Sequence, residues 1–266
     1  MPERWRQGAA SPGARRRVEG RAHGPFSFEV AYIPAGRFVM GSPAEDPDRW
    51  EDERQHEVTL TAAFELGVVP VTQALYEAVL GTNPACFRDL RRPVENVSWF
   101  DAVSLCNALS AALGLGAAYA VCAAPDAPDV QWRRSAAGFR LPTEAEWEWA
   151  ARAGCSHKYA GSADVDAVAW TGSDPGVESQ PAGLKQANAW GLQDMSGNVW
   201  EWCWDWFRAY GGPCTDPDGD RSGPHRVIRG GSWFDLPRFA RVSNRDRSLP
   251  DIRDHHLGLR VARTVG

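Results

Sequence analysis

No run of eighteen apolar residues occurs in the 266-residue chain, so nothing in it reads as a membrane-spanning helix. The first 25 residues lack the apolar stretch of a secretory signal, and their six Arg and two Glu among Gly and Ala read as a disordered basic leader. Apart from Trp5 that leader has no aromatic and no Lys, which argues against a nucleic-acid-binding arm. The six cysteines, at 86, 106, 122, 155, 203 and 214, include no CxxC pair and no zinc-type spacing. That excludes a cysteine-based zinc site, and with no signal segment the thiols fit a reduced, cytoplasmic protein. No internal repeat and no second boundary interrupt residues 26–266, which read as one domain long enough to bury a substantial core.

What the chain has in abundance is tryptophan, glycine and proline, 13, 26 and 19 residues respectively. Gly and Pro interrupt long helices, so this composition favours short strands, turns and irregular chain. The net charge of −5 hides a split: residues 1–25 sum to +4, residues 26–225 to −14, and residues 226–266, with nine Arg and four Asp, to +5. A basic end after an acidic body invites internal ion pairing or, with the smaller share, an anionic ligand. The most patterned stretch is GNVWEWCWDW, residues 197–206, where Trp200, Trp202, Trp204 and Trp206 alternate with Glu201, Cys203 and Asp205. Side chains of a strand point alternately to opposite faces, so the pattern predicts a half-buried core strand with indoles on one side and acids on the other.

Upstream, residues 28–41 read as two short strands turning at Pro34, Ala35 and Gly36, and the acidic stretch 45–57 as a loop too polar for the core. Residues 58–69 look like strand, after which Thr72 is placed to cap a short helix through Leu80. Ser98 and Asp101 make a capping-box pattern ahead of Trp99, Val103, Cys106, Leu109 and Leu113 at helical spacing, ended by Gly114. Residues 117–130 read as a loop or hairpin, and Thr143 with Glu146 marks a third helix that Gly154 stops. From residue 155 onward the sequence predicts no helix: turns, among them Gly161-Ser162, Asp174-Pro175 and the stretch 216–223, then strand-like residues 227–228 and 258–262. The sum is a mixed α+β domain.

Five segments, in order along the chain, carry a resemblance: IPAGRFVMGS (33–42), RPVENVSWFDAVSLCNALS (92–110), GFRLPTEAEWEWAARAG (138–154), NAWGLQDMSGNVWEWCWDW (188–206), and RVIRGGSW with GLRVAR (226–233, 258–263). They resemble the sulfatase-modifying-factor domain, the family of the formylglycine-generating enzyme, from about Phe26 to the end. The resemblance implies a C-type-lectin-like fold, rich in irregular structure, whose C-terminal segment lines a ligand cleft. That family includes copper-dependent oxidases that turn a cysteine into formylglycine, iron-dependent sulfoxide synthases, and pure binding proteins such as the variable proteins of diversity-generating retroelements. Fold alone does not choose among them.

In the oxidases that the chain resembles, two copper cysteines lie three and eight residues after the serine of the GGS segment, here Ser232. The matching positions hold Asp235 and Ala240, and no cysteine follows Cys214, so the soft donors that Cu(I) prefers are missing and formylglycine formation is not expected. A non-haem iron site needs two His and a carboxylate converging on one point. Of the histidines at 23, 56, 157, 225, 255 and 256, the last two are adjacent and point apart in an extended chain, so a metal-dependent oxidoreductase stands as the alternative function. The resemblance also implies structural calcium, held by the side chains of Asp194 and Glu201 and the carbonyls of Gly197 and Val199. The competing reading of those acids is that Asp194 caps a turn and Glu201 pairs with an Arg of the C-terminal segment.

That segment, residues 232–260, mixes two kinds of position. Arg241, Arg245, Arg253, Arg260, Pro250 and Gly258 read as framework, the guanidiniums pinning irregular backbone with several donors each. Between them lie Phe234, Asp235, Leu236, Phe239, Asp246 and Ser248, then Leu249, Ile252, Asp254, His255 and His256, with no amphipathic period. Members of the family that the chain resembles often carry Asn-rich runs here, and these residue types are reachable from Asn codons by changing adenines, which is compatible with diversification. Apolar area beside His and Asp on a rigid scaffold is what a recognition surface requires. The expected function is therefore binding of a protein or small-molecule ligand, with Phe234, Phe239 and His255 at least partly exposed around one cleft.

Overall fold

The computed structural model describes residues 10–122, 129–173, 178–219 and 222–265. The Asp174-Pro175 turn, residues 1–9 of the leader, and parts of the 117–130 and 216–223 stretches lie outside the described residues. In chain order come β1 (Arg15–Arg21), β2 (Pro25–Ile33), β3 (Gly36–Met40), β4 (His56–Leu60), β5 (Phe64–Gly67), α1 (Gln73–Leu80) and α2 (Trp99–Ala112). A hairpin of β6 (Tyr119–Cys122) and β7 (Asp129–Trp132) follows, then α3 (Glu144–Arg152), α4 (Val165–Val168), β8 (Ala169–Trp170) and β9 (Ser196–Gly197). The last quarter holds β10 (Trp200–Trp206), β11 (Cys214–Thr215), β12 (Arg226–Arg229), β13 (Arg245–Ser248), β14 (Leu257–Leu259) and β15 (Ala262–Thr264). Two four-stranded sheets, ordered β1-β2-β5-β15 and β13-β12-β10-β14, frame the molecule.

The three longer helices, α1 to α3, sit where their caps place them. Thr72 accepts from the Leu75 N–H, and the Ser98–Asp101 and Thr143–Glu146 boxes are both closed in each direction, which satisfies amides that a helix start otherwise leaves orphaned. Gly81, at φ 74°, ends α1 in the left-handed conformation that favours glycine. Two one-turn elements lie beyond residue 155, where the sequence predicts no helix: α4 and a 3-10 turn at Pro237–Ala240. Four residues are too short to leave a periodic signature.

Two sequence expectations are corrected here. The basic leader is not disordered throughout, because Arg15–Arg21 pairs along its whole length with β2 and Arg16 makes a two-pronged contact with buried Glu65. Of the acidic stretch 45–57, His56 and Glu57 already belong to β4, and Glu53 in the loop before them is fully buried. An incoming arginine, described below, supplies the charge that makes this burial tolerable.

The tryptophan strand is more enclosed than its alternation predicts. β10 lies between antiparallel β12 and parallel β14, with Glu201 opposite Arg229 on one side and Gly258 on the other. Both faces are covered: Trp200 and Trp202 belong to a core with α1 and α2, while Cys203 belongs to a second core with α3 and the β1–β2–β5–β15 sheet. The strand is thus a partition between two cores. Buried indoles keep partners, Trp202 donating to the Val97 carbonyl at 2.9 Å and Trp99 to the Cys203 carbonyl at 3.0 Å. Gly258 has to be glycine, since a Cβ there would lie 2.4 Å from the Val94 carbonyl oxygen.

Candidate functional site

The C-terminal basic excess is consumed inside the protein. Arg229, fully buried, pairs with Glu148 and donates to the Val242 carbonyl at 2.8 Å. Arg241 grips Glu53 by two 2.8 Å contacts, Arg245 holds Glu144 at 2.7 and 2.8 Å, and Arg260 holds Glu201 at 2.8 Å. Arg226 lies over the rings of Trp99 and Trp206, 3.7 and 3.5 Å from their centroids. Each buried guanidinium also binds a backbone carbonyl and so fixes irregular chain that no ladder could hold. Arg253 departs from the framework expectation: it is exposed and pairs with Asp101 at the start of α2.

None of the eleven candidate recognition positions is buried. Phe234, Leu236, Leu249 and Ile252 are 65, 54, 44 and 40% exposed, and Asp246 is exposed too. Asp235, Phe239, Ser248, Asp254, His255 and His256 are half-buried. A core role is thereby removed for Phe234, Leu236 and Ile252, whereas Phe239 is half-buried and packs in part against the larger core. The segment therefore divides into buried positions, Arg241, Arg245 and Arg260 among them, and solvent-facing ones, which include Arg238, Arg247 and Arg253.

The exposed rings fall into two packed groups. Phe234 packs with Trp233, His255 and His256 at centroid distances of 5.6, 6.4 and 6.2 Å, and Phe87 joins His255 at 5.9 Å. Phe239 instead stacks on Trp50 at 6.5 Å, with Arg238 over both rings. Asp235, counted from sequence among the recognition residues, works as a latch: its Oδ2 accepts from Trp200 Nε1 at 2.8 Å and from the Ser232 hydroxyl. Ala240, at the other position matched to a copper cysteine, is buried and apolar. Phe87 and Trp50 were not legible as site residues, because they reach the surface from distant loops and only the fold brings them there.

The two histidines do not point apart. Residues 254–257 form a turn closed by the Leu257 N–H on the Asp254 carbonyl at 3.1 Å, and Nδ1 of both His255 and His256 lies 2.9 Å from Asp254 Oδ1. The sequence assumed an extended chain, and the turn overrides it.

Around Asp194 the chain passes through left-handed conformations at Asp194, Gly197 and Asn198. Asp194 Oδ2 accepts the Gly183 N–H at 2.7 Å, while Oδ1 is buried without a hydrogen-bond partner, and burial pushes the carboxyl above its usual range. An orphaned buried carboxylate oxygen suits a hard cation. Glu201 is differently placed: Arg260 contacts both of its oxygens, and Trp147 Nε1 donates to Oε2 at 2.7 Å. These contacts fill the lone-pair capacity of that carboxylate, so only Asp194 offers a side-chain oxygen with no other partner.

A cleft of about 400 Å³ opens at the far end of β10, lined among others by Met40, His56, Asp205, Tyr210 and Arg245. Burial, then the neighbouring Glu144, raises the Asp205 carboxyl to about 7, although it accepts the Glu144 N–H at 2.8 Å.

Sequence and structure comparisons agree with this geometry. Residues 21–265 match the sulfatase-modifying factor enzyme 1-like domain. The chain is 34% identical over 232 residues to chaperone protein LppX of Paenibacillus barcinonensis, a match covering 76% of this chain and 80% of that protein. It is 33% identical over 218 residues to the formylglycine-generating enzyme of Thermomonospora curvata, but there the match spans 63% of the enzyme and 73% of this chain. Treponema denticola variable protein 1 has the same fold, with a TM-score of 0.86 at 33% identity, covering 95% of this chain and 99% of that one. With the domain match running over residues 21–265, the protein belongs to the sulfatase-modifying factor enzyme 1-like domain family.

Proposed function

We propose that this protein is a binding protein whose C-terminal segment forms a variable recognition surface for a protein or small-molecule ligand. The observation that carries the reading is the sorting of residues 232–260: the arginines at 241, 245 and 260 are buried in ion pairs, and every candidate recognition position retains solvent exposure. Such a division lets surface residues change without disturbing the scaffold. The similarity to a protein named as variable supports diversification of these positions. The two thiol-free positions, Asp235 and Ala240, support binding over cysteine oxidation. No helix among the described residues is long and apolar enough to cross a membrane, and the six free cysteines support a reducing, cytoplasmic setting.

Structural calcium belongs to the same proposal. Asp194 Oδ1 and the carbonyls of Gly197 and Val199 would hold the ion, while Glu201, expected from sequence as a further ligand, stays committed to Arg260 and Trp147; the orphaned Asp194 oxygen supports it. The ion would brace the loop before β10 and take no part in chemistry.

The test is a binding screen against peptide and glycan arrays, run with the wild type and with Phe234→Ser/Ile252→Ser. Ligands retained by the wild type and lost by the variant are expected. Binding that survives the substitutions, or aldehyde formation on a cysteine peptide supplied with copper and oxygen, would overturn the reading.

A further inference from the structure

We propose that Asp254, His255 and His256 form a binding site for one divalent transition-metal ion of the zinc, nickel and iron group. The three side chains offer two imidazole nitrogens and a carboxylate oxygen, all within 4.8 Å of one another. This site is separate from the Asp194 loop; its three residues are among the recognition positions, but the metal assignment rests on their geometry and stands or falls apart from ligand recognition.

The first argument is geometric. Both Nδ1 atoms sit 2.9 Å from Asp254 Oδ1, yet Asp254 Oδ1 and His256 Nδ1 are each buried without a hydrogen-bond partner, because the approach directions are wrong for one. A short separation without hydrogen-bond alignment is unusual for polar atoms that have a choice. It is ordinary for ligands sharing a metal. Cis donors at bond lengths of about 2.1 Å lie roughly 3.0 Å from each other in octahedral geometry.

The second argument is preorganisation. Each carbonyl of the tripeptide is engaged: Asp254 by the Asn96 N–H at 2.8 Å, His255 by Trp233 Nε1 at 3.5 Å, and His256 by the Trp200 N–H at 2.8 Å. Asn96 achieves its contact from a left-handed φ of 63°, and Trp200 donates from the central strand β10. The ring planes are supported as well. Phe234 stacks on His256 with an interplanar angle of 14°, while Phe87 and Trp233 flank His255. Surface histidines that bind ions by accident have no such support.

A buried acid is tied to Phe87, the residue whose ring packs on His255. Glu95 is fully buried, its Oε1 accepts the Phe87 N–H at 2.9 Å, and its Oε2 has no partner. The Cys86 thiol, pushed up by burial and then by Glu95, also feels Asp254.

Ligand chemistry sets the class of ion. Two imidazoles disfavour calcium and magnesium, which prefer oxygen shells, and suit zinc, nickel or iron. Asp254, His255 and His256 keep side-chain exposures of 36, 44 and 26%, so the cluster lies at the surface although Asp254 Oδ1 and His256 Nδ1 are themselves covered. An ion held there would sit beside Phe234, within the exposed aromatic group.

The test is calorimetric titration of the full-length, EDTA-stripped protein with zinc and, separately, nickel. One ion per chain is expected, with an accompanying rise in melting temperature. His256→Ala and Asp254→Asn should each weaken binding at least about tenfold, the lower end of what is lost when even an outer-shell partner of a metal ligand is changed. His255 is half-buried at the surface and outside both cores, so His255→Ala should stay folded and show the same loss. His157→Ala should bind like the wild type. Absence of one-to-one binding, or equal affinity in the wild type and His255→Ala, would overturn the proposal. So would a loss in His157→Ala as large as in the triad variants, which indicates scattered histidine binding.

Discussion

Replacing Glu53 by Gln isolates the role assigned to the buried arginines. Both oxygens of Glu53 are committed: Oε2 to Arg241 Nη1 at 2.8 Å, and Oε1 to Arg241 Nη2 at 2.8 Å and Asn244 Nδ2 at 3.0 Å. Glu53→Gln keeps the shape but turns one acceptor into a donor facing a donor, and leaves the Arg241 charge in the interior short of its principal partner. Removing one member of a buried pair typically costs about 3–5 kcal/mol. At roughly 2–4 °C per kcal/mol for a chain of this size, the melting temperature should fall by roughly 10 °C. Urea unfolding followed by tryptophan fluorescence measures the free energy, with Ile252→Ser as the comparison expected to stay within about 0.5 kcal/mol. A cost below about 1 kcal/mol for Glu53→Gln, or an equal cost for Ile252→Ser, refutes the division into scaffold and surface.

Other outcomes follow from the same contacts. The Asp205 carboxyl is raised from 3.8 to about 7, so the folded state holds its proton more tightly than the unfolded state. Its contribution is therefore largest below about pH 4 and is lost as pH rises toward 7, by roughly 4 kcal/mol at most. Asp205→Asn keeps an acceptor for the Glu144 N–H and should flatten the pH dependence of stability over that window; an unchanged profile contradicts the assignment. Thr143→Ala removes the α3 cap and should cost about 1 kcal/mol in the same unfolding assay. Calcium should raise the melting temperature over EGTA in the wild type and not in Asp194→Asn, and identical melts for the wild type in both conditions would remove the ion from the loop.

The parts of the fold that were legible in the sequence are those set by neighbouring residues. Both capping boxes and the Thr72 cap act within three residues, so composition and spacing suffice. The α+β class and the family match were legible from five motifs in their order. What the sequence concealed depends on partners far away. Glu53 reads as loop because Arg241, which makes its burial tolerable, lies 188 residues further on. β1 reads as a leader because a strand of Arg and Glu is recognisable only once β2 pairs with it. Half of β10 was legible, its alternation, but not its second buried face, which β12 and β14 impose by flanking it. The exposed positions of 232–260 were legible as a set. Asp235 was misplaced within it because its Trp200 contact crosses sheet and loop, and the convergence of His255 and His256 was missed because a turn stands where extended chain was assumed.

One measurement bears on the central claim most directly: two libraries displayed on cells and sorted for resistance to protease. The first randomises Phe234, Leu236, Asp246, Leu249 and Ile252 together; the second randomises Arg229, Arg241, Arg245 and Arg260. Most members of the first should stay folded and almost none of the second. Comparable survival in both, or collapse of the first, contradicts a recognition surface carried on buried arginines.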